Sequence, residues 1–257
     1  MLWRILVQFL FRTSFGLALA MAMTSPKNVT SGFFRNHLWV LLGVNTFAGV
    51  VVFLTQSEFV TPTSLLIGAA ISAALSYFGA IFWLYEKHRV GIVLLAVLAI
   101  AGFVLGTLLD ANPNSNSKEI LIVAIDTFTS GAVIGFTFAS MLLGHWYLNT
   151  PTMKLDPLKR LLVGLGVAIV ARMLFCAVGV AYQFVQPAAP DLFVIGAICL
   201  RWLAGLVGLL VMTIMSWQTL KIPNTQSATG ILYVGVIFVF IGELASRLLS
   251  VQSSFPL

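Results

Sequence analysis

The stretch VGIVLLAVLAIAGFVLGTLL, residues 90–109, decides the fold class. It contains no charged residue, and its one hydroxyl belongs to Thr107. Because a helix rises 1.5 Å per residue, about 20 apolar residues cross the hydrocarbon core of a bilayer. The stretch therefore predicts a transmembrane helix.

Seven further apolar runs flank this one, separated by turn-forming strings such as Thr61-Pro62-Thr63. We predict an all-α fold, a polytopic membrane helix bundle with eight transmembrane helices. It forms a single integral membrane domain over residues 1–257, with helices 1–4 in about residues 1–109 and helices 5–8 in about residues 120–249. The expected spans are approximately Leu2–Met23, Leu38–Leu54, Ser64–Leu84, Val90–Leu109, Ile120–Leu148, Leu158–Phe184, Leu192–Trp217 and Gly230–Leu249.

The composition agrees with a membrane protein. The chain is 60% hydrophobic and 9% charged, whereas soluble domains carry about 25% charged residues. The net charge of +6 reflects basic loops on one membrane face, which is a topology signal. The lipid bilayer is therefore the expected partner, and nucleic acid is not expected.

Basic residues indicate the orientation, because cytoplasmic loops are rich in lysine and arginine. Among the even-numbered loops only Lys118 is basic. The odd-numbered loops are therefore predicted to be cytoplasmic and the C-terminus external, and we expect a multi-pass protein of a bacterial inner membrane. The basic residues of the odd loops are Lys27, Arg35, Lys87, Arg89, Lys154, Lys159, Arg160 and Lys221.

The first run allows two alternatives. Arg4, Gln8 and Arg12 recur every four residues and share one helical face. The segment could then lie on the membrane surface as an interfacial amphipathic helix, leaving seven spans. Ala20-Met21-Ala22 also resembles a signal-peptide cleavage site, although cleavage would reverse the charge rule for every later loop.

Small residues at four-residue spacing predict helix packing seams. Gly131, Gly135 and Ala139 share one face of the fifth predicted helix. Lipid supplies no hydrophobic drive between helices, so close backbone approach over small residues holds them together.

Five ionisable residues interrupt the apolar runs of the second half. Charged groups in hydrocarbon are costly, so they usually face a partner or a cavity and mark function. We take them as candidates for a ligand or proton pathway. They are Asp126, Arg172, Arg201, Glu243 and Arg247.

The positions of these five residues in their helices favour different partners for them. Glu243 precedes Arg247 by four positions, which favours a pair within one helix. Arg172 and Arg201 fall at similar mid-membrane depth on neighbouring helices, with Asp126 as the nearest candidate to neutralise them. Three arginines against two carboxylates leave one guanidinium over, which favours binding of an anionic small molecule, phosphate or lipid head group. Alternatively, the charges only brace the bundle.

A second candidate lies at the predicted cytoplasmic end of helix five, where His145, Trp146 and Tyr147 follow one another. An imidazole beside interfacial aromatics could contact a quinone or a lipid, or the string could simply anchor the helix in the interface. Neither it nor His37 and His88 forms a haem or metal motif, so any cofactor is left open.

Three function classes follow. The first is a carrier or binding protein for a small anionic or amphiphilic solute or for protons. The second is a membrane subunit of a respiratory or other electron-transfer complex, touching quinone or lipid near His145. The third is a structural scaffold for partner membrane subunits. GxSxG, HExxH and P-loop motifs are absent from the sequence, so an enzyme is the least supported class.

Overall fold

The fold was obtained as a computed structural model, which describes residues 1–111, 116–150, 153–185, 192–222 and 224–250. All regular elements of these residues are helical, and eight helices are long and apolar enough to cross a membrane. The predicted all-α bundle of eight such helices is confirmed. The helices are α1 Leu2–Ala22, α2 Ser31–Leu54, α3 Pro62–Leu84, α4 His88–Asp110, α5 Ser117–Asn149, α6 Asp156–Val185, α7 Leu192–Thr219 and α8 Thr225–Leu249.

Several helices begin earlier than their apolar runs. α2 starts at Ser31 instead of Leu38, and α8 starts at Thr225 instead of Gly230. At α8 the Asn224 side chain accepts a hydrogen bond from the Ser227 amide at 3.0 Å, which satisfies an otherwise unpaired backbone donor. Polar residues thus extend the helices beyond their apolar cores.

The chain divides into two compact units, Met1–Gly135 and Phe136–Leu257. Helix α5 contributes its first part to unit 1 and its second part to unit 2. The boundary between the two units therefore falls inside a helix.

In unit 1, α1 packs against α2 and α4, and α3 packs against the same two helices, so the four form a closed ring. In the most apolar 18-residue stretch of α1, 67% of the residues are buried, a larger share than in the corresponding stretch of any of the other seven spanning helices. Phe11, Arg12 and Ser14 are almost completely inaccessible. The alternative of a surface amphipathic helix is therefore wrong, and α1 is an inner helix.

Helices α1 and α5 cross with their backbones in contact. A methyl group added at Gly16 would overlap the carbonyl group of Gly131 and lie 2.9 Å from the Cα atom of Gly135. The seam predicted over Gly131 and Gly135 is therefore a real crossing, and its partner is a glycine of α1.

In unit 2, α8 packs along α7, and α6 also contacts α7. α7 and α8 touch through Gly205 and Gly242, since a methyl group on either glycine would collide with the Cα atom of the other. This crossing holds the two helices close beside the charged residues of this unit.

Replacing Gly16 with alanine should destabilise the protein, because the nearest atoms belong to backbone that cannot turn away. Overpacking of this kind costs about 1–3 kcal/mol, and a lower melting temperature in detergent should report it. Gly43→Ala is the matched control, since nothing lies within 4 Å of a methyl group at that position. Equal melting temperatures for the two variants would contradict the crossing.

The membrane orientation stays a prediction, and two exposed lysines can test it. Lys87 lies in a predicted cytoplasmic loop and Lys118 in a predicted external one. In a variant lacking Cys176 and Cys199, an impermeant maleimide applied to intact cells should label Lys118→Cys but not Lys87→Cys. Labelling of Lys87→Cys but not of Lys118→Cys would show that the orientation is the reverse of the predicted one.

Candidate functional site

A buried ion cluster in unit 1 is centred on Arg12 of α1. Its Nη2 atom donates to Oδ2 of Asp126 at 2.5 Å and to Oδ2 of Asp110 at 2.9 Å. Nη1 also donates to the backbone carbonyl of Asp126 at 3.3 Å. The side chains of Arg12 and Asp126 are 1% and 3% exposed, whereas that of Asp110 is 17% exposed. One guanidinium thus ties α1 to α4 and α5.

The polar face of α1 continues this contact. Gln8 donates through Nε2 to Oδ2 of Asp110, and Arg4 donates through Nη2 to the carbonyl of Leu109 at 2.9 Å. The four-residue repeat that suggested a surface helix therefore faces the end of α4. The pattern was visible in the sequence, but it did not distinguish a face towards water from a face towards polar groups of another helix.

Asp126 has an ion-pair partner that the sequence did not indicate, since it pairs with Arg12 of α1. Neutralisation of Arg172 and Arg201 by Asp126, which the sequence also favours, stays a prediction. Asp110 was also overlooked, because it precedes a turn-forming string and reads as a loop residue. The charged groups of the first half are therefore more extensive than the sequence suggested.

A second buried cluster lies in unit 2, where α6 and α7 direct arginines at α8. Arg201 places Nη1 3.0 Å from Oε1 of Glu243, with the two side chains 1% and 2% exposed. Arg172, which is completely buried, donates through Nη2 to Oγ of Ser246 at 3.3 Å. Both arginines thus reach the same turn of α8. Arg247 follows on this turn and is 7% exposed.

The pair between Arg201 and Glu243 joins two helices. The sequence favours a pair of Glu243 with Arg247, because a four-residue spacing within one helix can be recognised directly, and that pair stays a prediction. Nη2 of Arg201 also lies 3.9 Å from Sγ of Cys176 on α6. All three helices of the cluster therefore meet at this guanidinium.

Helix α7 changes its winding where Arg201 lies. Residues Arg201–Gly208 form a π-helix between two α-helical segments. Such wide turns are rare and occur frequently at functional sites. No sequence pattern indicated this segment.

Two glycines make room for the Arg201 side chain. A methyl group at Gly242 would lie 3.0 Å from Nη1 of Arg201, and one at Gly205 would lie 3.4 Å from the same atom. The glycine crossing of α7 and α8 therefore borders the guanidinium. Packing and charge placement depend on the same residues here.

The interior of α6–α8 contains more positive than negative side chains. Among the described residues, its buried charged side chains are Arg172, Arg201, Arg247 and Glu243. Nε of Arg201 is buried and has no hydrogen-bond partner among the described residues. Buried donors are nearly always satisfied in folded proteins. The arrangement can therefore accept an anion chemically, through guanidinium hydrogen bonds to oxygen.

The three residues of the interfacial candidate, His145, Trp146 and Tyr147, differ in burial and in their contacts. Tyr147 is buried, and its hydroxyl donates to the Lys154 carbonyl, which attaches the end of α5 to the following loop. His145 is exposed, with Nδ1 3.5 Å from the hydroxyl of Tyr233 on α8, while Trp146 is partly buried. Contact of this string with quinone or lipid stays a prediction.

Metal ligands do not gather in the described part of the chain: no three His, Cys, Asp or Glu side chains come together there. Comparison with known proteins found no matching family model, curated protein or solved structure. Function is therefore inferred from the two charged clusters.

Proposed function

We propose that this multi-pass membrane protein binds a small anionic solute within unit 2 and carries it across the bilayer. The observation that supports this proposal is the buried Nε atom of Arg201, which has no hydrogen-bond partner among the described residues. A buried donor without an acceptor is costly, so a bound carboxylate or phosphate would stabilise this arrangement.

The proposed anion lies against Arg172 and Arg201, because these two side chains reach one turn of α8. A carboxylate or phosphate accepts paired hydrogen bonds from a guanidinium. The unpartnered Nε of Arg201 is a suitable donor, and the Ser246 hydroxyl beside Arg172 is another. Glu243 holds Arg201 in place between binding events, and an incoming anion competes with it for the guanidinium.

The π-helical segment and the glycine crossing support this location. A π-helix is less regular than the α-helix on either side of it, and such segments occur frequently at functional sites. The glycine crossing holds α8 against this segment, so that Nη1 of Arg201 lies beside Gly242.

Neutralising either arginine should weaken anion binding. For Arg172→Gln and Arg201→Gln we expect at least about tenfold lower affinity, since a hydrogen bond to a charged group contributes roughly 1.5–3 kcal/mol. The measurement is titration calorimetry of the detergent-purified protein with inorganic phosphate and with benzoate.

Arg89→Gln is the control, because it removes an exposed arginine from the first turn of α4 in unit 1. Arg201→Lys keeps the charge and should bind with intermediate affinity, which separates loss of binding from loss of fold. If both glutamine variants are folded by circular dichroism and bind as the wild type does, the charges brace the bundle and the proposal fails.

A second candidate function, proton transfer, is favoured by the cluster of unit 1. Asp110 and Asp126 both accept from the same Nη2 atom of Arg12. Carboxylates are the side chains that most often carry protons along pathways inside membrane proteins. Asp110 is partly exposed and Asp126 is buried, so the pair leads from the surface of unit 1 into its interior.

Proton movement into liposomes containing the protein tests this candidate. Asp110→Asn and Asp126→Asn should each abolish dye-reported proton uptake driven by a potassium gradient with valinomycin, because amides do not exchange protons in this way. Glu119→Gln, an exposed carboxylate on α5, should leave uptake unchanged. Wild-type uptake by both asparagine variants would exclude the cluster as a proton site.

A further inference from the structure

A cavity of about 270 Å³ lies where α6 begins and α7 ends, in the predicted cytoplasmic interface. It belongs to unit 2 and is separate from the buried arginines. Its lining combines two basic residues, one carboxylate, one aliphatic side chain and one tryptophan. They are Lys159, Arg160, Asp156, Val163 and Trp217.

The two cations of this cavity are available for a ligand. Neither Lys159 nor Arg160 forms a salt bridge with any residue that the structure describes. Asp156 lies in the first turn of α6, where a negative charge is favoured by the helix dipole. One carboxylate against two cations leaves the cavity positive, so an anionic group is the complementary ligand.

The cavity also has an apolar side that continues into the membrane. Val163 is exposed, and Val167, Val170 and Leu174 continue the same exposed face of α6. Trp217 is 38% exposed at the end of α7, and tryptophan prefers the level of lipid head groups. The feature thus offers a cationic recess at the interface and an aliphatic track below it.

We propose that this cavity binds an anionic phospholipid of the cytoplasmic leaflet. The phosphate of the head group lies between Lys159 and Arg160, and one acyl chain follows the Val163–Leu174 face. Basic recesses between helices on the cytoplasmic side suit such head groups. A soluble phosphate would use the two cations, but it would make no use of the aliphatic track.

Lipid binding can be measured by native mass spectrometry of delipidated protein titrated with phosphatidylglycerol or phosphatidylcholine. The wild type should prefer phosphatidylglycerol. The double variant Lys159→Gln/Arg160→Gln should lose about 25-fold in affinity for phosphatidylglycerol, since each basic residue contributes roughly a factor of five. The double variant Lys87→Gln/Arg89→Gln removes the same charge from another predicted cytoplasmic loop and should bind as the wild type does.

Two results would overturn the proposal. One is equal binding of phosphatidylglycerol by both double variants, which would indicate general attraction to the basic surface. The other is displacement of the lipid by millimolar glycerol 3-phosphate, which would identify a site for soluble anions. Because Arg172 and Arg201 are unchanged throughout, failure here does not affect the anion site proposed above.

Discussion

A guanidinium group inside hydrocarbon needs an acceptor on another helix, and this requirement governs how the helices of this protein face one another. Placing an arginine at the centre of a transmembrane helix costs about 2.5–3.5 kcal/mol on insertion scales. Arg12, Arg172 and Arg201 are each at most 1% exposed, and each reaches a polar group of another helix. Rotation of any of these helices would direct a charge at lipid, so the ionic contacts fix which face of each helix is inside.

The two units satisfy this requirement with different acceptors. In unit 1 Arg12 contacts the carboxylates of Asp110 and Asp126, whereas in unit 2 Arg201 pairs with Glu243 and Arg172 donates to the Ser246 hydroxyl. The proton-transfer proposal draws on the two carboxylates, and the anion-binding proposal draws on the buried Nε of Arg201. The same physical constraint therefore supports a different proposal in each unit.

The sequence predicted the helices well and their pairing less well, for a physical reason. Apolar runs of about 20 residues report directly on membrane span, so all eight helices could be found. Ion pairs between helices depend on rotation and depth, which single runs do not specify. The polar repeat that contains Arg12 is equally compatible with a water-facing helix, so it does not indicate a partner for Arg12. The spacing of Glu243 and Arg247 favours a local pair, whereas the structural partner Arg201 is 42 positions earlier in the chain.

The glycines show why packing and site cannot be separated in unit 2. Gly16 and Gly131 only bring α1 and α5 together, and small residues serve this purpose in many membrane helices. Gly205 and Gly242 bring α7 and α8 together in the same way, but both also border Nη1 of Arg201. A side chain at Gly242 would press on the opposing backbone and on the guanidinium at once. The close approach of α7 and α8 is therefore also what gives Arg201 its space beside Glu243, so stability and charge placement are constrained by the same two positions.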